Sequence, residues 1–163
     1  MREIVINTGP VIALVAATDS LDWLAKLYQC VLIPHEVMAE ISAGGPATPE
    51  ATALQAAVDI VRLLDPAESI SLALLHELDR GEASVIHTAH EQSISTVAID
   101  EKAGRRVARL HGLNVTGSLG ILIKAKREGI IDNLADCIVR MRDRGIWISP
   151  ALIQHALTSV GEA

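Results

Sequence analysis

Aromatic side chains are nearly missing: the chain has no Phe, one Tyr (Tyr28) and two Trp (Trp23, Trp147) in 163 residues. A core must therefore come from Ala, Val, Ile and Leu, the usual filling of a parallel sheet covered by helices on both faces. Cysteine is almost as scarce. Cys30 and Cys137 lie far apart in apolar surroundings, which suits unpaired thiols in a reducing cytoplasm better than a disulfide framework. A chain of this length buries about two thirds of its unfolded surface, so neither disulfides nor metal are needed to fold it. Long hydrophobic runs are also missing, although half of the residues are apolar. The longest, Pro10 to Ala17, ends in Thr18-Asp19 and falls well short of the roughly 18 residues of a membrane span. Arg2 and Glu3 precede a short apolar run, unlike the start of a secretory signal. Membrane, secreted disulfide-rich, fibrous and disordered classes are excluded as readings of this composition.

Several chemical signatures are absent too. There is no GxGxxG or GxxxxGK[ST] phosphate loop and no Gly-x-Ser-x-Gly elbow. His87 and His90 are three apart on a helical stretch, but no further ligand at zinc spacing accompanies them. Gly117-Ser118-Leu119-Gly120 opens a helix, where capping by Ser118 suffices as an explanation.

The net charge is −6, but it is unevenly spread. Residues 1–101 carry 4 basic and 15 acidic side chains, whereas residues 102–163 carry 10 basic and 5 acidic ones. One acidic and one basic surface would follow from this, as would ordinary solvated helix faces.

Strand and helix signals alternate along the chain. Short β-branched runs at 3–6, 31–33, 60–64, 95–99 and 113–115 read as strands. Helical patterns cover about 10–27, 35–41, 49–57, 81–92 (capped by Asp79), 102–111, 118–127, 133–144 and 150–160 (capped by Ser149). Residues 66–78 are ambiguous, with 70–75 open to a helical reading. Ala43 to Pro49 is the only linker-like stretch. Within helix 133–144, Ile138, Val139 and Met141 need cover, which the terminal helix supplies through Leu152, Ile153, Ala156, Leu157 and Val160. Either helix also suits docking of a second subunit. Five strands separated by helices predict a doubly wound parallel sheet, with ligands beyond the carboxyl ends of its strands.

Strand one ends at Asn7 and strand four at Asp100, with Glu101 beside it. If the two strands are neighbours, Asn7 and Asp100 share a crevice, and Glu40 and Glu82 reach it from helices. Clustered carboxylates repel and call for a counter-charge. A hard cation bound through oxygen, Mg²⁺ or Mn²⁺, supplies it and suits phosphodiester hydrolysis. Lys102, Arg105, Arg106 and Arg109 follow at once and would hold phosphates. Singly, each residue has a plainer use. Glu40 is a surface acid, Glu82 complements a helix dipole, Asp100 caps the next helix, Glu101 is a first-turn acid, and Lys102 to Arg109 form a wet face.

Together, Val5-Ile6-Asn7-Thr8-Gly9-Pro10, Ile33-Pro34-His35-Glu36-Val37-Met38-Ala39-Glu40-Ile41, Asp79-Arg80-Gly81-Glu82-Ala83, Ala98-Ile99-Asp100-Glu101 and Val115-Thr116-Gly117-Ser118-Leu119-Gly120 resemble the ordered motifs of PIN-domain proteins, in particular a subgroup of short stand-alone chains. The resemblance runs from about residue 3 to 160. It implies a three-layer α/β/α sandwich with a central five-stranded parallel sheet, a single domain over 1–163, and C-terminal helices at about 133–160 packed on it. It also implies a Mg²⁺- or Mn²⁺-dependent ribonuclease, often the toxin of a toxin–antitoxin pair, with RNA as substrate, a small antitoxin as partner, and a homodimer. In that picture Asn7 and Asp100 hold the metal directly or through water, and Glu82 completes the shell. Glu40 orients the attacking water or a second metal, and Thr8 supports the ligands by hydrogen bonding. The chain departs from the nuclease pattern at Asn7, where the family usually carries Asp. An amide brings no charge and accepts no proton, so a non-cleaving module that binds RNA or a protein is the alternative.

Overall fold

The computed structural model describes residues 2–163. Five strands, β1 (Glu3–Ile6), β2 (Cys30–Ile33), β3 (Val61–Leu63), β4 (Thr96–Ala98) and β5 (Asn114–Thr116), form one parallel sheet in the order β3-β2-β1-β4-β5. The strands are three or four residues long. In the central strands Val5, Ile6, Leu32, Ile33, Val97 and Ala98 are buried, as a sheet covered on both faces requires.

The helices are α1 (Thr8–Thr18), α2 (His35–Ser42), α3 (Pro49–Ala56), α4 (Leu72–Glu77), α5 (Arg80–Glu91), α6 (Lys102–Leu110), α7 (Ser118–Arg127), α8 (Leu134–Asp143) and α9 (Pro150–Ser159). Right-handed crossovers to either side of β1 put α1 and α3 on one face and α5 and α6 on the other. The packing agrees: α1 contacts α3, α7 and α8, while α5 contacts α4 and α6. The result is a three-layer α/β/α fold. Among the described residues no helix is long and apolar enough to cross a membrane.

The strand order reverses at β1, because β1 leads outward to β2 and the chain later returns to pair β4 against its other edge. Crevices that bind ligands in such sheets lie at this switch, beyond the carboxyl ends. Ile6 pairs with Ala98, so Asn7 and the Ile99-Asp100-Glu101 segment leave the sheet side by side.

Two local readings need correction, and one left open is resolved. The helix expected over 10–27 breaks after Thr18. Asp19 adopts a left-handed conformation (φ 60°), and Thr18 Oγ1 donates to the Leu14 carbonyl at 2.9 Å and to the Ser20 carbonyl at 2.8 Å. Trp23 Nε1 donates to Thr18 Oγ1 and the Ser20 carbonyl, fixing a separate 3₁₀ turn at Asp22–Lys26. Such side-chain bonds to nearby backbone compete with helix continuation. The ambiguous stretch contains helix α4. Val139 is half-exposed rather than covered, while Ile138 and Met141 are buried, with α1 as well as α9 against α8.

The C-terminus is tied back onto α8. Glu162 accepts from the Leu134 and Ala135 amides at 2.9 and 2.8 Å, and Lys126 Nζ lies 3.1 Å away. Burial alone would push the Glu162 carboxyl up, but these amides and Lys126 outweigh it and hold it below its ordinary value. Its contribution is therefore present above about pH 4.3, the ordinary Glu value, and lost as pH falls through the depressed value. Glu162→Ala is expected to destabilise the fold by about 1 kcal/mol, as loss of a helix cap does. Urea denaturation checks it, and the difference from the parent should shrink in acid.

Candidate active site

Asn7 stands at the N-cap of α1, a position where Asn usually bonds the first-turn amides with its side chain. Here it makes no such bond. The residue is 4% exposed, and its Oδ1 is buried with no hydrogen-bond partner. Orphaned buried acceptors are rare and costly. On its other side, Nδ2 faces Glu101 Oε2 at 3.5 Å, which is a long contact.

Acids gather around this amide from three further elements. Thr8 Oγ1 donates to Glu40 Oε2, linking α1 to the last turn of α2. Glu82 sits at the third position of α5 in a capping box with Asp79: the Glu82 amide donates to Asp79 Oδ1 at 2.8 Å, and the Asp79 amide donates to Glu82 Oε2 at 3.2 Å. Burial, then the charge of Asp79, and further off those of Glu101 and Glu40, push the Glu82 carboxyl up against the pull of the Asp79 amide. Asn7 and Glu82 are buried, while Glu40 and Glu101 are exposed.

Glycines make room for this. A Cβ at Gly81 would stand 2.3 Å from Glu40 Oε1, and one at Gly9 would stand 3.0 Å from Glu101 Oε1. A Cβ at Gly104 would meet Ile99 at 2.8 Å and Glu82 Oε1 at 3.2 Å. Glu40, Glu82 and Glu101 thus each lie against the bare backbone of a glycine.

Asp100 is placed differently. Its carboxylate accepts from the Ser118 amide at 2.8 Å and the Ser118 hydroxyl at 2.9 Å. Gly117 lets it approach, since a Cβ there would lie 2.7 Å from Asp100 Oδ1. Ser118 therefore does not cap α7: Gly117 is the N-cap and makes no side-chain bond, and Ser118 is the first helical residue. Nor does Asp100 cap the helix that follows it, whose N-cap is Glu101. Asp100 satisfies the start of α7 from across the sheet edge, while Glu101 turns toward Asn7. Among the described residues no three acidic, His or Cys side chains close on one point as a metal-binding group. Each carboxylate is instead held by its own donor: Thr8, Asp79, Asn7 or Ser118.

The basic residues separate as well. Arg105 Nη1 donates to the Ile99 carbonyl at 2.9 Å. Burial and then Arg109 hold its guanidinium below the usual range, with Asp100 opposing. Arg106 pairs with Glu77 at 3.2 Å. Lys102 and Arg109 are exposed on α6. A cavity of about 780 Å³ opens beside the acids and is walled by Gly9, Asp100, Glu101 and Arg105, together with apolar side chains from α1, α7 and the 146–152 segment. His87 belongs elsewhere, 4.0 Å from Glu91 on the outside of α5. Cys30 and Cys137 are free, the first half-buried and the second buried.

The sequence pattern did not single out Gly81 or Trp147. A glycine inside the first turn of a helix, where no turn needs it, was the available signal for Gly81. Trp147 carried no signal beyond being one of three aromatics.

The model of one family, described as a PIN domain, matches residues 3–162. No curated protein matches the chain.

Proposed function

Since this chain belongs to the PIN-domain family, we propose that it is a divalent-metal-dependent endoribonuclease, acting as one PIN-like domain and serving as the toxin of a toxin–antitoxin pair. The observation that carries this reading is the buried, partnerless Oδ1 of Asn7 in a crevice where Glu101 faces its amide and Glu82 feels the charges of Glu101 and Glu40. An all-oxygen set of this kind fits a hard cation that keeps several waters, Mg²⁺ or Mn²⁺. The Asn7 amide oxygen, with Glu101 facing the same side chain and Glu82 next to that acid, would hold it largely through water, since among the described residues no three of the acids close on one point and the Asp100 carboxylate is taken up by Ser118. When bound, such an ion polarises a phosphodiester and lowers the pKa of water.

The chain's own groups supply the rest. Thr8 fixes Glu40, which as an exposed carboxylate is free to take a proton from an incoming water. The Asp79 amide steadies Glu82, and Ser118 steadies Asp100. Arg105, pinned by the Ile99 carbonyl beside the acids, aims a cation at the phosphate. Lys102 and Arg109 extend that surface along α6, and Arg106 joins it while paired to Glu77.

The test is cleavage of a mixed RNA in Mn²⁺. Glu82→Gln is expected to lose nearly all activity while folding normally, because Gln still accepts the Asp79 amide. Equal cleavage by both proteins would discard the assignment. The same variant has a second readout. A carboxyl raised in the folded state weakens folding as pH rises and the group ionises. Without metal, Glu82→Gln should therefore be more stable than the parent at neutral pH and indistinguishable from it in acid.

One observation favours a second reading. Asn7 brings no charge, and its amide already faces Glu101, as in a module that binds RNA without cutting it. Absence of Mn²⁺ binding by calorimetry, in both the parent and an Asn7→Asp variant, would select that reading.

A further inference from the structure

Trp147 is 81% exposed, although it is the bulkiest side-chain type in the chain. It sits between α8 and α9 on an extended segment that follows Gly145, whose φ is +84°. Two cavities meet at it. The larger, about 780 Å³, also contains Asp100, Glu101 and Arg105. The smaller, about 520 Å³, contains Arg142. Each cavity that Trp147 lines thus has one arginine in its wall, and the larger one also takes in the strand-end acids. Ile12 and Leu152, themselves 37% and 49% exposed, add apolar wall to the larger one, and a contiguous exposed apolar patch of this kind marks a binding surface. A flat aromatic face, apolar walls and cations spaced around it are what an unpaired nucleotide requires. The volume lies within the ordinary range for small-ligand sites, about 300–1,000 Å³.

We propose that Trp147 is a stacking platform for an unpaired RNA base, holding one nucleotide in the cavity next to the acidic centre while Arg105 and Arg142 take its neighbouring phosphates. This rests on RNA being the substrate and deepens that reading: the target is single-stranded at the bound position, because a base inside a duplex cannot present its face to the ring. Stacking is tolerant of base identity, so the platform selects for strand state rather than sequence.

The experiment is titration of the full chain with a short single-stranded adenylate RNA in EDTA, which prevents metal-dependent cleavage, followed by tryptophan fluorescence. Emission of the parent is expected to be quenched to saturation. Affinities of the variants are read from the anisotropy of the same RNA carrying a fluorescent label: Trp147→Ala should bind about tenfold more weakly, and Trp147→Phe should keep most of the affinity. The ring is exposed, so Trp147→Ala is expected to unfold at the parent's temperature. Unchanged affinity in Trp147→Ala, or no quenching in the parent, overturns the platform. So does a change in sedimentation on mutating Trp147, which would make this face an interface between copies of the chain. Failure of the platform alone leaves Mn²⁺-dependent cleavage intact in both proteins. Failure of the hydrolytic reading alone leaves Trp147-dependent binding without cleavage.

Discussion

Asn7→Asp is expected to raise Mn²⁺-dependent RNA cleavage about 10- to 100-fold at limiting metal, the range in which changes around a metal shift its affinity. The side chain keeps its shape and exchanges an amide for a carboxylate at a buried position whose Oδ1 has no partner. What is lost is slight, a 3.5 Å contact from Nδ2 to Glu101. What is gained is a formal charge directed at a cation. The same charge is unwelcome without that cation, because it would face Glu101 in a site that already pushes the Glu82 carboxyl up. The variant should therefore be less stable than the parent in EDTA and gain more from Mn²⁺. Binding at a hundredfold excess over Kd adds about 2.7 kcal/mol, which in a chain of this size is about 5–10 °C in Tm. Thermal unfolding of both proteins with and without Mn²⁺ reads this independently of activity. A variant neither more active nor more metal-stabilised would mean that the crevice at residue 7 is not where a cation binds.

The reading of the sequence and the structure meet at the sheet and part at the side chains. Runs such as Val31-Leu32-Ile33 announce strands buried on both faces, and Pro and Gly punctuate them, so the order of elements was legible from periodicity alone. The neighbouring of β1 and β4, which brings Asn7 beside Asp100 and Glu101, was only a condition in the sequence reading and is supplied by the structure, where the chain crosses back from the β3 edge to the free side of β1. Direction was not legible. Asp100 and Glu101 are adjacent acids at one strand end, and nothing in their spacing says that the first satisfies the α7 amide while the second turns to Asn7. That choice is made by Ser118 and Gly117, which are distant in sequence and reach Asp100 only once β5 has paired with β4. The α1 break was missed for a similar reason. Apolar spacing continues through Leu24 and Leu27, and the stop is a local network of Thr18, Ser20 and Trp23.

Gly81→Ala separates the two roles a residue can have at this site. Glycine inside a helix costs roughly 1 kcal/mol relative to alanine, so the substitution at the second residue of α5 is expected to leave Tm unchanged or raise it by a few degrees. The added Cβ would nevertheless stand 2.3 Å from Glu40 Oε1 and 2.9 Å from its Cδ. Glu40 is exposed, so its carboxylate gives way rather than the backbone, and its bond from Thr8 Oγ1 goes with it. Cleavage should fall at least about tenfold, the cost of displacing a group that acts as general base. Glu40→Gln should fall by a similar amount, and the double variant should fall no further, because both changes remove one function and such effects do not add. The cycle is read from initial rates in Mn²⁺ alongside thermal unfolding of all four proteins. If Gly81→Ala cleaves like the parent, Glu40 takes no part in the chemistry. If it loses activity together with stability, the glycine serves the packing of α2 on α5 rather than the placing of a carboxylate.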